Sequence, residues 1–203
     1  NQLIGWGLPD DLLFKKAKLK LTQLIQNKQL FNLTLLTIDT HGYNGQLNQT
    51  CKAQQGKNFE DIVQCTSDEV YDFIKFVKDK GWLDRVAIVV TGDHLAMKNA
   101  VSRKLLTNHK SRLFNMLITQ PESQKNRETI IHFDLFPTIL SALGVSWSGS
   151  SHLALGRSAI TTGVQDKVNV KWYASINKAI DRKSPRYNQL WLPVAASITQ
   201  MKR

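Results

Sequence analysis

An aspartate and a histidine follow a short apolar run near the middle of the chain. Residues 86–90 read Val-Ala-Ile-Val-Val, and a threonine and a glycine lead from them to Asp93 and His94. The β-branched run is typical of a strand buried on both faces, and ligand sites of α/β sheets lie at the carboxyl ends of such strands. A carboxylate and an imidazole suit a divalent ion such as zinc or manganese. Two ligands do not complete a site, and an Asp-His pair can instead serve only to satisfy backbone groups of a turn.

A second apolar run ends in similar chemistry. Residues 33–38 predict another core strand, which is followed by Asp39, Thr40 and His41. If the two strands are neighbours in one parallel sheet, their loops emerge at the same edge, and His41 faces Asp93 and His94 across a cleft. A lone histidine in a loop is usually only a hydrogen-bonding group, so the hypothesis depends on the three residues together.

Helices are predicted before and between these strands. Pro9 and the two acids after it predict a helix to about Gln26, because proline tolerates the first turn and acids complement the helix dipole. Its predicted buried face contains Leu13, Ala17, Leu21 and Leu24. Thr66 and Glu69 form a capping-box pattern for a second helix, which Gly81 ends. The order strand, helix, strand predicts a βαβ unit.

The remaining elements are predicted from shorter signals. A third strand is expected over 113–118, and the basic segment 95–110 is either a loop or a short amphipathic helix. A helix is expected over 130–144, with Pro137 in its first turn, Asp134 as its cap, and His132 also in a structural role. A further strand is expected over 167–173.

The two cysteines flank a polar loop. A disulfide between Cys51 and Cys65 would link this loop in an oxidising compartment, and this is the interpretation we favour over two free thiols. No Cys-x-x-Cys spacing is present, which argues against a redox or zinc–thiolate role.

Composition limits the classes of protein. The chain has 203 residues, 42% of them hydrophobic, which is enough for a substantial core. Its net charge of +11 favours acidic partners such as anionic lipids or glycans, although a basic surface can also be merely solvated. No nucleic-acid-binding motif and no run approaching the ~18 apolar residues of a membrane span is visible. Because the first residue is Asn, the chain is expected to be a piece of a longer protein.

Five blocks in order resemble one known family. Residues 6–14, 36–42, 90–97, 133–139 and 155–158 look like successive blocks of the bacterial phosphoglycerol transferases, in particular those that modify osmoregulated periplasmic glucans. These are relatives of lipoteichoic acid synthase in the alkaline phosphatase and sulfatase superfamily. The resemblance implies an alkaline phosphatase-like three-layer α/β fold with a mostly parallel central sheet. This chain would hold only its C-terminal part, in residues 1–160, with 161–203 as an extension of unknown role.

The same resemblance implies a chemistry. The family's enzymes are membrane-anchored at the periplasmic face of the bacterial inner membrane, and move phosphoglycerol from phosphatidylglycerol to a glucan acceptor through a covalent Thr or Ser intermediate. Asp93 and His94 match the family's metal-binding Asp-His, with Mn²⁺ the expected ion and Mg²⁺ or Zn²⁺ possible alternatives. His41 matches the histidine that contacts the transferred phosphate. Nucleic acid is not an expected partner.

Departures from the family pattern matter equally. The family's nucleophile and its metal-binding glutamate lie upstream of the first block, so this chain is expected to be inactive alone. Phosphoethanolamine transfer and sulfate ester hydrolysis are the nearest enzymatic alternatives. A non-catalytic domain that binds anionic lipid or glycan is the alternative of a different class.

Overall fold

The computed structural model describes residues 3, 7–28, 30–54, 58–107, 112–119, 130–148, 152–160, 170–182 and 184–190. The chain divides into two compact units, Asn1–Glu122 and Ser123–Arg203. Its elements, in chain order, are α1 (Asp10–Gln26), α2 (Gln49–Gln54), α3 (Phe59–Asp79), β1 (Ile88–Thr91), α4 (Ala100–Leu106), β2 (Asn115–Ile118), α5 (His132–Ala142), β3 (His152–Leu153), β4 (Gly156–Arg157) and α6 (Val170–Ile180).

Helix α1 has the predicted bounds, but its buried face is rotated from the predicted one. Pro9 precedes it, and the first turn carries two acids. The buried side chains are Asp10, Phe14, Ala17, Leu21 and Ile25, whereas Leu13 and Leu24 are only half-buried. The prediction followed the leucines, but the aromatic ring of Phe14 has more apolar surface to bury and sets the orientation of the helix.

Helix α3 begins eight residues earlier than the Thr66 cap predicted. Asn58 caps it by accepting from the backbone amide of Asp61, while the Asp61 side chain accepts from the amide of Asn58. The Thr66–Glu69 pair therefore lies inside the helix. The predicted end is confirmed, because Gly81 adopts the left-handed conformation (φ +68°) and donates its amide to Lys78 O at 2.8 Å.

The core of the first unit forms where α1 packs on α3. Its buried residues are Phe14, Ala17, Leu21, Ile25, Phe73 and Val77. The Phe14 and Phe73 rings lie 5.6 Å apart between centroids. Phe31, Leu33 and Leu35 pack against this core, and burial alternates along their segment. This segment is therefore extended, with one face on the two helices.

The predicted parallel sheet is not found in the described residues. Residues 33–38 are extended but form no β-strand, because no neighbouring segment of the described chain makes the backbone hydrogen bonds of a sheet with them. β1 instead pairs antiparallel with β2, with Ile88 opposite Ile118 and Thr91 opposite Asn115. The sheets of the described chain are two antiparallel pairs, β1–β2 and β3–β4. The fold class is mixed α/β, as predicted, but the βαβ unit is represented by its helix and second strand only.

Helix α5 of the second unit is fixed by a buried aspartate, which confirms the structural role predicted for Asp134. Its carboxylate accepts from the amides of Ile131 at 3.0 Å and Arg157 at 2.8 Å, so it joins the start of α5 to β4. Close approach requires glycine at 156, where a Cβ atom would lie 1.8 Å from Phe133 O. Pro137 lies in the second turn of α5 and not in the first.

Two further expectations are settled by short helices. Within the basic segment 95–110, the described residues contain α4, so the helical alternative is correct there. The predicted strand over 167–173 is wrong for its described residues, because these begin α6. An amphipathic helical pattern and a strand pattern cannot be separated over so few residues. None of the described helices is both long and apolar enough to cross a bilayer.

The predicted disulfide is present. It joins Cys51 in α2 to Cys65 in α3, across a Cα–Cα distance of 5.9 Å, and both residues are buried. Asn48 caps the start of α2 by accepting from the Cys51 amide at 2.8 Å. The bond therefore fixes the segment after residue 39 against α3.

Replacing both cysteines by serine should lower the free energy of unfolding by about 3 kcal/mol, the loop-closure value for a bridge of this span. Urea unfolding under oxidising conditions measures the change. A reducing agent should bring the wild type to the stability of the double variant and leave the variant unchanged. Equal stability of oxidised and reduced wild type would contradict a stabilising bridge.

Candidate functional site

The Asp93–His94 pair lies in the loop that follows β1. The amide of Gly92 donates to Phe114 O at 3.0 Å, so the antiparallel partner holds the strand end in place up to the residue before Asp93. The Thr91 hydroxyl donates to Asn115 Oδ1 at 2.6 Å and fixes the same end. Both functional side chains are exposed, His94 at 61% and Asp93 at 70%.

The contacts of His94 define which of its nitrogens can bind a metal. Nδ1 lies 2.8 Å from Leu95 O, and a carbonyl can only accept, so Nδ1 carries a proton in this contact. In the neutral ring, Nε2 then has a free lone pair, which is the arrangement found in metal-binding histidines. Nε2 lies 3.3 Å from Asp93 Oδ2.

This separation suits two ligands of one ion. Oxygen and nitrogen ligands lie about 2.1 Å from zinc, so two of them at a tetrahedral angle are separated by roughly 3.4 Å. The second Asp93 oxygen is held by the His94 amide at 2.8 Å, which orients the carboxylate. The two residues therefore fit a divalent ion, but they supply only two of its ligands.

The described residues do not complete this site. No group of three His, Cys, Asp or Glu ligands within 4.8 Å of one another includes Asp93 or His94 there. His41 lies in the turn after the extended segment, exposed, with its amide donating to Ile38 O at 2.9 Å. Its ring does not form a common ligand group with the pair, and its role as a phosphate contact stays a prediction.

A second cluster was not predicted from the sequence. Ligand atoms of Asp10, Asp39 and Glu69 lie within 4.8 Å of one another. Asp10 and Asp39 are fully buried, and Glu69 is half-buried. From the sequence, Asp10 is expected to complement the helix dipole and Glu69 to form part of a helix cap. The residues of the cluster lie far apart in the sequence, so no local pattern predicts that they meet.

Neutral donors hold one side of this carboxylate cluster. The amide of Ile38 donates to Asp10 Oδ1 at 2.7 Å, and the Thr66 hydroxyl donates to Oδ2 at 3.3 Å. The Asn48 amide group donates to Asp39 Oδ2 at 2.7 Å and to Glu69 Oε1 at 2.8 Å. Asn48 therefore links two carboxylates that would otherwise repel each other.

Burial raises the pKa of all three carboxyls, and repulsion from neighbouring acids adds to each shift. Desolvation is the main cause for each one. The pKa of Asp39 rises to about 6, where Asp10 adds repulsion and the Asn48 hydrogen bond opposes the shift. The pKa of Glu69 rises to about 7, with Asp10, Asp39 and Asp11 all contributing repulsion. At neutral pH the cluster therefore holds protons or requires positive charge.

Comparison with known proteins identifies the class to which the chain belongs. Residues 2–145 match the sulfatase family, and the chain is a member of that family, within the alkaline phosphatase superfamily. The pair Asp93–His94 and the carboxylate cluster both lie inside the matched region. No solved structure matches the chain significantly.

The individual relatives of the chain have a more specific name than the family. The chain is 32% identical over 167 residues to phosphoglycerol transferase I of Escherichia fergusonii and 32% over 166 residues to that of Shigella flexneri. It is 31% identical over 163 residues to the enzyme of Citrobacter koseri. Each match covers 77% of this chain and 21% of the relative, so the chain spans about a fifth of their length.

Without divalent cations, the chain should become less stable as the pH rises from about 4 to about 7. Over this range the folded state binds more protons than the unfolded state, because the pKa values of Asp39 and Glu69 are raised on folding. The contribution of these two carboxyls to the free energy of unfolding is therefore complete at pH values below their pKa in the unfolded chain. It is lost as the pH rises through their pKa in the folded chain. Urea unfolding at pH 5 and pH 8, with a chelator present, measures the difference.

Asp39→Asn and Glu69→Gln should each reduce this pH dependence and raise stability at pH 8. Asp72→Asn, an exposed carboxylate on the same helix as Glu69, is the matched control and should leave the dependence unchanged. The prediction is contradicted if the wild type becomes more stable between pH 5 and pH 8 and both variants show the same gain. Groups other than Asp39 and Glu69 would then determine the pH dependence of stability.

Proposed function

We propose that this chain is the carboxyl-terminal part of the catalytic domain of a metal-dependent phosphoglycerol transferase, which moves phosphoglycerol from phosphatidylglycerol to periplasmic glucans. The observation that carries the proposal is the Asp93–His94 pair at the end of β1, whose spacing suits two ligands of one ion. It lies in the region that matches the sulfatase family. The identity to phosphoglycerol transferase I over 77% of the chain supports this branch of the family.

The chain's residues have separate tasks in this reaction. Asp93 Oδ2 and His94 Nε2 would hold the ion, Mn²⁺ in the first instance and Mg²⁺ or Zn²⁺ as alternatives. Such an ion, when bound, polarises a phosphoryl oxygen and lowers the pKa of a nearby nucleophile. His41 donates a hydrogen bond to a phosphoryl oxygen as negative charge develops there. The contact of His94 Nδ1 with Leu95 O favours the neutral tautomer in which Nε2 has the free lone pair.

The transfer proceeds in two displacements. A Thr or Ser hydroxyl of the parent protein loses its proton and attacks phosphorus, the bond from phosphorus to the diacylglycerol oxygen breaks, and that oxygen takes up a proton. A glucan hydroxyl then loses its proton and attacks the phosphoglycerol ester, the bond from phosphorus to the Thr or Ser oxygen breaks, and that oxygen takes up a proton. The nucleophile and the remaining metal ligands belong to preceding parts of the parent protein, so this chain alone is inactive.

Charge and covalent structure support a site at the periplasmic face of the inner membrane. A net charge of +11 favours the anionic head group of phosphatidylglycerol and an anionic membrane surface. The Cys51–Cys65 disulfide suits the oxidising periplasm. The partners in this proposal are the lipid donor and the glucan acceptor.

The proposal is tested by measuring cleavage of a chromogenic phosphodiester with added Mn²⁺. Two proteins are compared: this chain, and a longer protein that also includes the residues encoded upstream of it. We expect cleavage only by the extended protein. In that protein Asp93→Ala should lower kcat/KM by more than about 100-fold, because losing even an outer partner of a metal ligand costs 10–100-fold. His41→Ala should lower kcat at saturating Mn²⁺.

Asp84→Ala is the matched control for Asp93→Ala, since it removes an exposed carboxylate before the same strand. It should keep full activity. If the extended protein is folded and loaded with Mn²⁺ but inactive, and this chain still binds phosphatidylglycerol vesicles, the chain is a lipid-binding domain and the transferase proposal is wrong. Cleavage of a chromogenic sulfate ester in preference to the phosphodiester would also overturn it.

A further inference from the structure

The carboxylate cluster of Asp10, Asp39 and Glu69 has no positive partner in the described part of the chain. The ion pairs that lysine forms there join Lys75 to Asp79 and Lys104 to Glu60, and neither involves the cluster. Burying a carboxylate without a counter-charge is costly, and three together also repel one another. Something must compensate for this charge when the chain is folded at neutral pH.

The hydrogen bonds in the cluster leave two oxygens without partners. Asn48 holds Asp39 Oδ2 and Glu69 Oε1, so it occupies one oxygen of each carboxylate. The other oxygens, Asp39 Oδ1 and Glu69 Oε2, are buried and accept no hydrogen bond from the described residues. Asp39 is 0% exposed, so solvent does not replace the missing partner. An unpaired buried acceptor of this kind indicates an absent donor or cation.

We propose that Asp10, Asp39 and Glu69 bind a divalent cation of the calcium type. All donor atoms are carboxylate oxygens, which hard cations prefer. The three ligand atoms lie within 4.8 Å of one another, close enough to share one ion with ligands at about 2.4 Å. Ca²⁺ accepts irregular coordination, whereas Mg²⁺ demands near-ideal octahedral geometry, so three side chains from separate elements suit Ca²⁺ better.

The bound ion would join three separate parts of the first unit. Asp10 begins α1, Asp39 follows the extended segment that packs on the core, and Glu69 lies in the middle of α3. The site shares no residue with the Asp93–His94 pair, so it is independent of the proposed catalytic metal. Its role is structural, and it stabilises the segment that leads to His41.

Protons are the alternative compensation, and calcium titration separates the two. The chain, freed of metals by a chelator and studied at pH 8, is heated with increasing Ca²⁺ or Mg²⁺. We expect Ca²⁺ to raise the Tm by on the order of 5–10 °C at 100 times its dissociation constant. Mg²⁺ should give a smaller rise. Isothermal titration should find one Ca²⁺ per chain.

Asp39→Asn and Glu69→Gln keep the shape of each side chain and remove its charge. Both should abolish the Ca²⁺-dependent rise, and both should raise the metal-free Tm at pH 8 because repulsion is relieved. Two variants are used so that one remains if the other fails to fold. Asp72→Asn, on the exposed face of α3, is the matched control and should keep the full rise.

Asp93→Asn distinguishes this site from the proposed catalytic one. It should keep the Ca²⁺-dependent rise in Tm, even though it removes a proposed Mn²⁺ ligand. The proposal is overturned if the wild type shows no rise at millimolar Ca²⁺. It is equally overturned if Asp39→Asn and Glu69→Gln keep the wild-type rise, because the ions then bind elsewhere on the surface.

Discussion

The carboxylate of Asp10 joins parts of the chain that are far apart in the sequence. It begins α1, accepts from the Ile38 amide at the end of the extended segment, and accepts from the Thr66 hydroxyl on α3. These two bonds fix where the extended segment ends relative to both helices. His41 ends a turn that begins at Ile38, because its amide donates to Ile38 O at 2.9 Å, so the position of His41 depends on the same carboxylate.

In this arrangement an unfavourable and a favourable free-energy contribution oppose each other. Burial of Asp10 and Asp39 is unfavourable, and desolvation is the main reason that their pKa values rise. The apolar contact of α1 with α3 and the Cys51–Cys65 disulfide stabilise the same unit. Apolar residues of similar volume would avoid this cost. The proposed cation would offset it instead, by compensating the charge of the buried acids.

Signals that act within a few residues predicted the fold well, and signals that depend on distant contacts did not. Pro9 and Gly81 gave correct helix ends because each acts on the backbone beside it. The apolar run 33–38 correctly predicted an extended and partly buried segment, but its predicted pairing into a sheet was wrong. Strand pairing depends on a distant neighbour, which an apolar pattern does not identify. Thr66 and Glu69 have the spacing of a cap, yet they lie inside α3, where Thr66 donates to Asp10 and Glu69 accepts from Asn48.

The Asp93–His94 pair could be proposed as a metal site from the sequence because its members are adjacent, but metal binding also depends on surroundings that adjacency does not specify. Both side chains are more than half exposed, so water competes with them for any ion and screens the charge that the ion would supply. A catalytic metal centre needs at least a third ligand and a site from which bulk water is excluded. In the proposed transferase, the preceding part of the parent protein provides both. The same covering would place His41 in a medium of lower dielectric constant, where a single hydrogen bond to a phosphoryl oxygen contributes far more than it does in water.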